Sequence, residues 1–166
     1  MARLADLVAR AAVSRPGRRI ERWAVWHTGQ SPFGRMHALA QRTHYRPSLV
    51  VLTTGRRTGR PHQVVLTFYR SPEPDDDTLA IVGSRGGADR DPDWVANLEA
   101  APHARIRVRR RTVEVRARRA DGDERARWWA HITERAPNYD RMQQRAPDRP
   151  FPVMLLEPVE KERQRS

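Results

Sequence analysis

Apolar positions change their period along this chain, and the change divides it. Before residue 45 they recur at helical spacing, which lines one side of a helix with hydrophobic side chains. Leu4, Leu7, Val8, Ala11 and Ala12 predict an amphipathic helix over 2–13 that ends near Ser14, ahead of Pro16. A second helix begins after Gly17, with Ile20, Trp23, Ala24 and His27 along one stripe and Arg18, Arg19 and Arg22 beside it. Residues 30–34 read as a turn, and 35–43 as a short helix carrying Met36, Leu39 and Ala40.

From Leu49 the pattern becomes that of strands. Leu49, Val50, Val51 and Leu52 form an unbroken apolar run, and the β-branched and aromatic stretch 62–69 returns beside it as a hairpin partner. Residues 72–77 make an acidic loop and 78–83 a third strand. Pro92 then fits the first turn of a helix that runs to Ala101, with Asp91 as its cap and Trp94, Val95 and Leu98 as its apolar side. Over 104–117, Ile106, Val108, Val113, Val115 and Ala117 alternate with arginines around a turn near Arg110, giving two strands with one buried and one basic face. Asp121 caps a helix over 123–135, in which Trp129 is a packing residue beside Trp128. Pro137 breaks that helix, a short one follows over 138–145, and 152–157 is a last strand.

Six strands joined mostly as hairpins, with helices between them, exclude a doubly wound parallel sheet. An α+β fold follows, a six-stranded antiparallel barrel with helices packed around it, because closure removes exposed strand edges. The chain reads as one domain over 1–166: N-terminal helices to residue 45, a barrel core over 46–158 and a charged tail over 159–166.

Composition narrows the chemistry. Cysteine is absent, which excludes disulfides, thiolate metal sites, iron–sulfur clusters and thiol nucleophiles. No run of about 18 apolar residues occurs and the N-terminal residues lack an uninterrupted apolar centre, so a cytoplasmic protein is expected. The formal net charge is +12 and Lys161 is the sole lysine. Arginine on this scale suits anionic partners through planar, bidentate contacts, and also fits a GC-rich genome.

Clusters decide more than totals. Trp23 and Trp26 flanked by arginines either pack on the barrel or lie on a membrane surface. Arg105, Arg107, Arg109 to Arg111, Arg116, Arg118 and Arg119 motivate a nucleic-acid-binding module as an alternative function. No aromatic residue is interleaved among them to stack bases, so no specific nucleic acid is expected. His37 and His44 share a helical spacing but lack a third ligand, and no metal site is expected.

The stretch richest in chemistry is S-L-V-V-L-T-T-G-R-R-T-G-R-P, from Ser48 to Pro61. Gly55 and Gly59 bracket Arg56, Arg57 and Thr58, so a tight turn can present amide N–H groups, a hydroxyl and two guanidinium groups together. That arrangement suits a phosphate. It equally describes a hairpin turn with solvated arginines.

Taken with G-S-R-G-G-A-D-R-D-P-D-W-V-A-N-L, A-P-H-A-R-I-R-V, P-N-Y-D and F-P-V-M-L-L-E-P, this turn resembles the deazaflavin-dependent nitroreductase family over residues 49–158. The resemblance implies a split β-barrel, binding of the reduced deazaflavin coenzyme F420, and hydride transfer to a quinone, enone or nitro compound. Carried over by position, Arg56, Arg57, Thr58 and Gly59, with His62 on the following strand, would hold the phosphodiester and acidic tail. Ser84, Arg85, Gly86 and Gly87 would lie along the ring edge. Pro92, Trp94 and Asn97 would position that loop.

Tyr139 matches a tyrosine near the substrate pocket, where it either donates a proton or packs. Four positions depart from the pattern. His62 stands where a basic residue is frequent and Val65 where a proline is frequent, while Ala136 and Met142 replace tyrosines of the nitroimidazole-reducing member. FMN in the same barrel is the alternative cofactor. Homodimer formation and peripheral membrane contact through the N-terminal helices stay open.

Overall fold

The computed structural model describes residues 14–40 and 44–159. The helix expected over 2–13, residues 41–43, the side chain of His37 and the end of the tail lie outside them. Helix α1 spans Arg15–Thr28 and α2 spans Pro32–Ala40. Strands β1 (Ser48–Thr54), β2 (Pro61–Arg70) and β3 (Leu79–Val82) follow, then a single 3₁₀ turn, Arg85–Gly87, and helix α3, Asp93–Ala100. Strands β4 (His103–Val108) and β5 (Arg111–Arg119), helices α4 (Gly122–Arg135) and α5 (Asn138–Gln144), and strand β6 (Val153–Pro158) complete the chain.

The strands close into one antiparallel barrel in the order β1-β2-β3-β6-β5-β4. Alternation explains what fills it. Leu49, Val51, Phe68, Leu79, Ile81 and Ile106 point to a common interior with Val115, Met154 and Leu156, and α3 adds Trp94, Val95 and Leu98 to the same cluster. The intervening residues of β3 and β6 meet a second layer instead. Ala80, Val82, Val153 and Leu155 pack outward against Trp128 and Ile132 of α4, with Phe151 alongside. Burial on both faces is why β3 and the first four residues of β6 are continuous apolar runs, whereas β4 and β5 face water on one side and alternate with arginine.

The N-terminal helices differ from the sequence expectation at their starts. Ser14 Oγ accepts the Gly17 N–H at 3.0 Å, so α1 begins at Arg15 and Pro16 lies in its first turn, where a missing N–H breaks no helical bond. Likewise Ser31 Oγ accepts the Gly34 N–H at 2.8 Å, and α2 starts at Pro32 inside the expected turn. The aromatic stripe is also divided. Trp26 takes the Arg107 guanidinium over its ring at 4.5 Å and accepts from Arg107 Nε at 2.7 Å through its carbonyl, while Trp23 is 63% exposed.

Two expected caps behave differently. Pro92, not Asp91, occupies the cap position of α3, and the Asp91 carboxylate turns to Arg149 and Arg119. Asp121 precedes α4 without a side-chain capping bond.

Candidate active site

The β1–β2 connection is a tight turn. Gly55 N–H donates to the Arg60 carbonyl and Gly59 N–H to the Gly55 carbonyl, both at 2.8 Å. Gly59 has φ +63°, which favours glycine, and a Cβ on Gly55 would lie 2.7 Å from His62 Nε2 and 2.8 Å from Thr58 Oγ1. The turn is fastened to α3. Arg56 donates its backbone N–H (3.1 Å) and Nη1 (3.3 Å) to Oδ1 of buried Asn97, and its guanidinium is 3.7 Å from the Asp93 carboxylate.

Between turn and helix lies a groove of about 390 Å³ lined by Thr53, Arg56, Arg57, Thr58, His62 and Trp94, among others. Gly59 shapes the turn but does not line it. Arg57 is exposed and forms no ion pair among the described residues. The hydroxyl of Thr53, a residue only 7% exposed, has no hydrogen-bond partner; no other buried side-chain polar atom among the described residues is in that state. A buried hydroxyl without a partner costs free energy, and an oxyanion entering the groove offers it an acceptor. Guanidinium groups, two hydroxyls and an imidazole on one concave wall fit a phosphodiester with further carboxylates.

The second segment follows β3. Arg85 (φ +48°), Gly86 (φ +67°) and Gly87 (φ +86°) are three successive left-handed residues, a path that two glycines make accessible. Arg149 holds it. Its Nε donates to the Ala88 carbonyl at 2.8 Å, Nη2 to the Ser84 carbonyl at 2.8 Å and Nη1 to the Gly83 carbonyl at 3.2 Å, while Nη1 pairs with Asp91 at 2.6 Å. The guanidinium also stacks over Phe151 at 4.5 Å. Sequence reasoning missed Arg149, one arginine among many; its place between Pro147 and Pro150 was the available signal.

The two segments meet at one helix end. Arg85 donates to the Asp91 carbonyl at 3.4 Å, just before α3, and Arg56 reaches Asp93 in its first turn. On its other side the loop borders α5, where a Cβ on Gly87 would lie 3.7 Å from the Met142 carbonyl.

Tyr139 lies beyond that border, outside the Arg56 groove. Its ring meets Tyr69 edge-on at 6.2 Å and Trp129 at 6.3 Å. Burial raises the Tyr139 phenol above its ordinary pKa, and the Tyr69 hydroxyl and the Arg46 guanidinium draw it partway back. Tyr69 is pushed up as well, by burial first and then by Tyr139. Together they line a cavity of about 320 Å³ between α2 and α5, with Gly34, Ala38, Arg46 and Thr67 on other walls. Ala136 is fully buried in the outer layer, and Met142 packs against that layer.

The comparisons agree with this architecture. A family model described as F420H(2)-dependent quinone reductase matches residues 30–158. An F420H(2)-dependent quinone reductase of Mycobacterium tuberculosis (strain ATCC 25618 / H37Rv), Rv1261c, is 32% identical over 148 residues, which cover 82% of this chain and 97% of the relative. Among solved structures, the F420-H2 dependent reductase FDR-A is 30% identical with a TM-score of 0.59, over 68% of this chain and 95% of its own. A protein described as a domain-swapped dimer is 26% identical with a TM-score of 0.61, over 84% and 96% of the two chains. This chain belongs to the F420H(2)-dependent quinone reductase family.

Proposed function

We propose that the chain transfers a hydride from reduced F420 to a quinone, with the coenzyme's anionic tail in the Arg56–Arg57 groove and its ring along Ser84–Gly87. The observation that carries this reading is the shared anchorage of Arg56 and Arg85 at the start of α3, on Asp93 and Asp91. One elongated anion can then touch both segments. F420 takes precedence over FMN because of family membership.

Arg56, Arg57, Thr58 and His62 bind the tail, with the Thr53 hydroxyl as a further donor. Charge-assisted hydrogen bonds of this kind contribute about 1.5–3 kcal/mol each. When bound, reduced F420 supplies the hydride. Arg149 fixes the loop carbonyls and so the path of the backbone that orients the ring. The Tyr139 cavity, beyond Gly87, is the place for the acceptor. Burial keeps the Tyr139 phenol protonated, so that it can give its proton to a reduced quinone oxygen. Gly34 and Ala38 of α2 cover one side of that cavity and limit access of water.

The test is an anaerobic assay with reduced F420 against a panel of quinones, enones and nitroaromatics. Quinones should be reduced fastest. A protein that binds F420 yet leaves every quinone unreduced contradicts the reading.

A specific observation favours a peripheral membrane contact that would bring lipid-soluble quinones to the same site. Ile20, Trp23, Met36 and Leu39 are exposed on α1 and α2, Leu39 at 79%. No helix among the described residues is long and apolar enough to cross a membrane. Co-sedimentation with anionic liposomes should fall when Trp23 and Leu39 are both changed to Ser; unchanged recovery would refute the contact. The likeness to a domain-swapped dimer supports homodimer formation, for which light scattering should give twice the chain mass.

A further inference from the structure

A second concavity opens at the opposite end of the barrel from α3. It measures about 620 Å³, within the range of about 300–1,000 Å³ typical of small-molecule sites. Buried Leu79, Ile106 and Leu156 form its floor, and half-buried Val108 and Val113 its walls. The strand β3 measures its distance from the coenzyme groove. Leu79 is in the cavity wall, whereas a Cβ on Gly83 would touch Val95 of α3 at 3.0 Å. Four residues at ~3.3 Å each separate the two ends by about 13 Å along the strand. The cavity and the groove share no residue.

The rim is cationic. Arg70, Arg109 and Arg111 line the mouth and are exposed, and Asp77 is the one carboxylate beside them. None of the three arginines forms an ion pair among the described residues, in contrast to Arg118, Arg119 and Arg149, which all do. Their placement is also fixed. Arg109 (φ +46°) and Arg110 (φ +70°) make the β4–β5 turn tight, and the end of α1 presses on it, with a Cβ on Gly29 only 3.2 Å from the Arg109 Cα.

An apolar interior behind unpaired guanidinium groups asks for a ligand with both characters. A hydrocarbon chain gains from leaving water, and a carboxylate can accept forked hydrogen bonds at the mouth. We propose that this end of the barrel is a binding site for a single-chain anionic amphiphile, with the alkyl chain among Leu79, Ile106, Val108 and Val113 and the carboxylate on Arg70, Arg109 and Arg111. The site is independent of the coenzyme groove and of the hydride-transfer reading.

The experiment is calorimetric titration of the full chain with dodecanoate, with dodecanol and dodecyltrimethylammonium as controls. Dodecanoate should bind, and both controls should bind at least about tenfold more weakly, as expected when charge-assisted contacts are lost. The double variant Arg70→Ser/Arg111→Ser alters only the rim and should reduce dodecanoate affinity about tenfold or more. Val113→Trp fills the cavity and should abolish binding. No dodecanoate binding, equal binding of the alcohol, or dodecanoate affinity unchanged in the rim variant would overturn the proposal. So would an increase in native mass in Val113→Trp relative to the parent without dodecanoate binding by either, which would assign the mouth to contacts between copies of the chain.

Discussion

Arg56 places two donors, its backbone N–H and its guanidinium Nη1, on one oxygen, Oδ1 of Asn97, at 3.1 and 3.3 Å. The helix therefore sets both the turn's backbone and the direction of its first arginine. Asn97→Ala should leave the Arg56 N–H without this partner, cost about 1–3 kcal/mol of stability and weaken F420 binding about tenfold. Asn97→Asp keeps the acceptor and should restore most of the stability, while its added negative charge opposes an anionic ligand. Urea denaturation and a coenzyme titration separate the two effects; equal affinity in the parent and both variants contradicts the arrangement.

Arg149 should matter as much to the second segment. Arg149→Ala removes donors to three carbonyls and leaves Asp91 with Arg119 as its remaining ion-pair partner. A loss of about 2–4 kcal/mol is expected from the broken charge-assisted bonds. Arg149→Lys cannot reproduce the planar fork and should recover less than half of it. Thermal unfolding of the three proteins checks this, and a lysine variant as stable as the parent would show that the fork is not required.

Tyr69 and Tyr139 make separable predictions. Tyr139→Phe should lower kcat for quinones about 10²-fold if its proton is transferred, while F420 affinity stays at the parental value. Tyr69→Phe removes the neighbouring hydroxyl that draws the Tyr139 pKa down, so the alkaline limb of the kcat profile should move to higher pH. A Tyr139→Phe enzyme with parental kcat would assign the ring to packing alone.

Much of the fold was legible because burial writes itself into periodicity. Strand β3 and residues 153–156 of β6 are apolar at every inward and outward position because the barrel interior and α4 cover opposite faces. The G-R-R-T-G turn was equally plain, since two glycines around arginines have few structural alternatives. What escaped notice depended on partners distant in sequence. The prolines that flank Arg149 single it out but do not name the loop at Ser84 as its partner, and no alternation links Tyr69 to Tyr139. Pro16 read as the end of one helix and residues 30–34 as a turn, and Pro16 and Pro32 each proved to sit in the first turn of a helix whose start a serine caps.

Glu124 provides a pH-dependent test of the outer layer. It accepts from Arg118 at 2.6 and 2.8 Å, and this hydrogen bonding holds its carboxyl below the usual range. A depressed folded pKa means that the stabilisation is complete above the unfolded carboxylate pKa and is lost as pH falls through the folded one. Because the pair is partly exposed, Glu124→Gln should cost less than about 1 kcal/mol at neutral pH. Melting temperatures of parent and variant should differ at pH 7 and converge in acid; a gap that widens in acid has the wrong sign.

The central claim is that Arg56 and Arg57 grip the anionic tail of F420, and it is tested most directly by titrating the parent and the Arg56→Ala/Arg57→Ala variant with oxidised F420. Trp94 lines the groove, so intrinsic tryptophan fluorescence reports occupancy. The parent should bind with Kd below about 100 μM, and the variant should bind at least about tenfold more weakly, with the difference largest at low salt. No binding by the parent, or the same Kd for both proteins at low salt, would contradict the account.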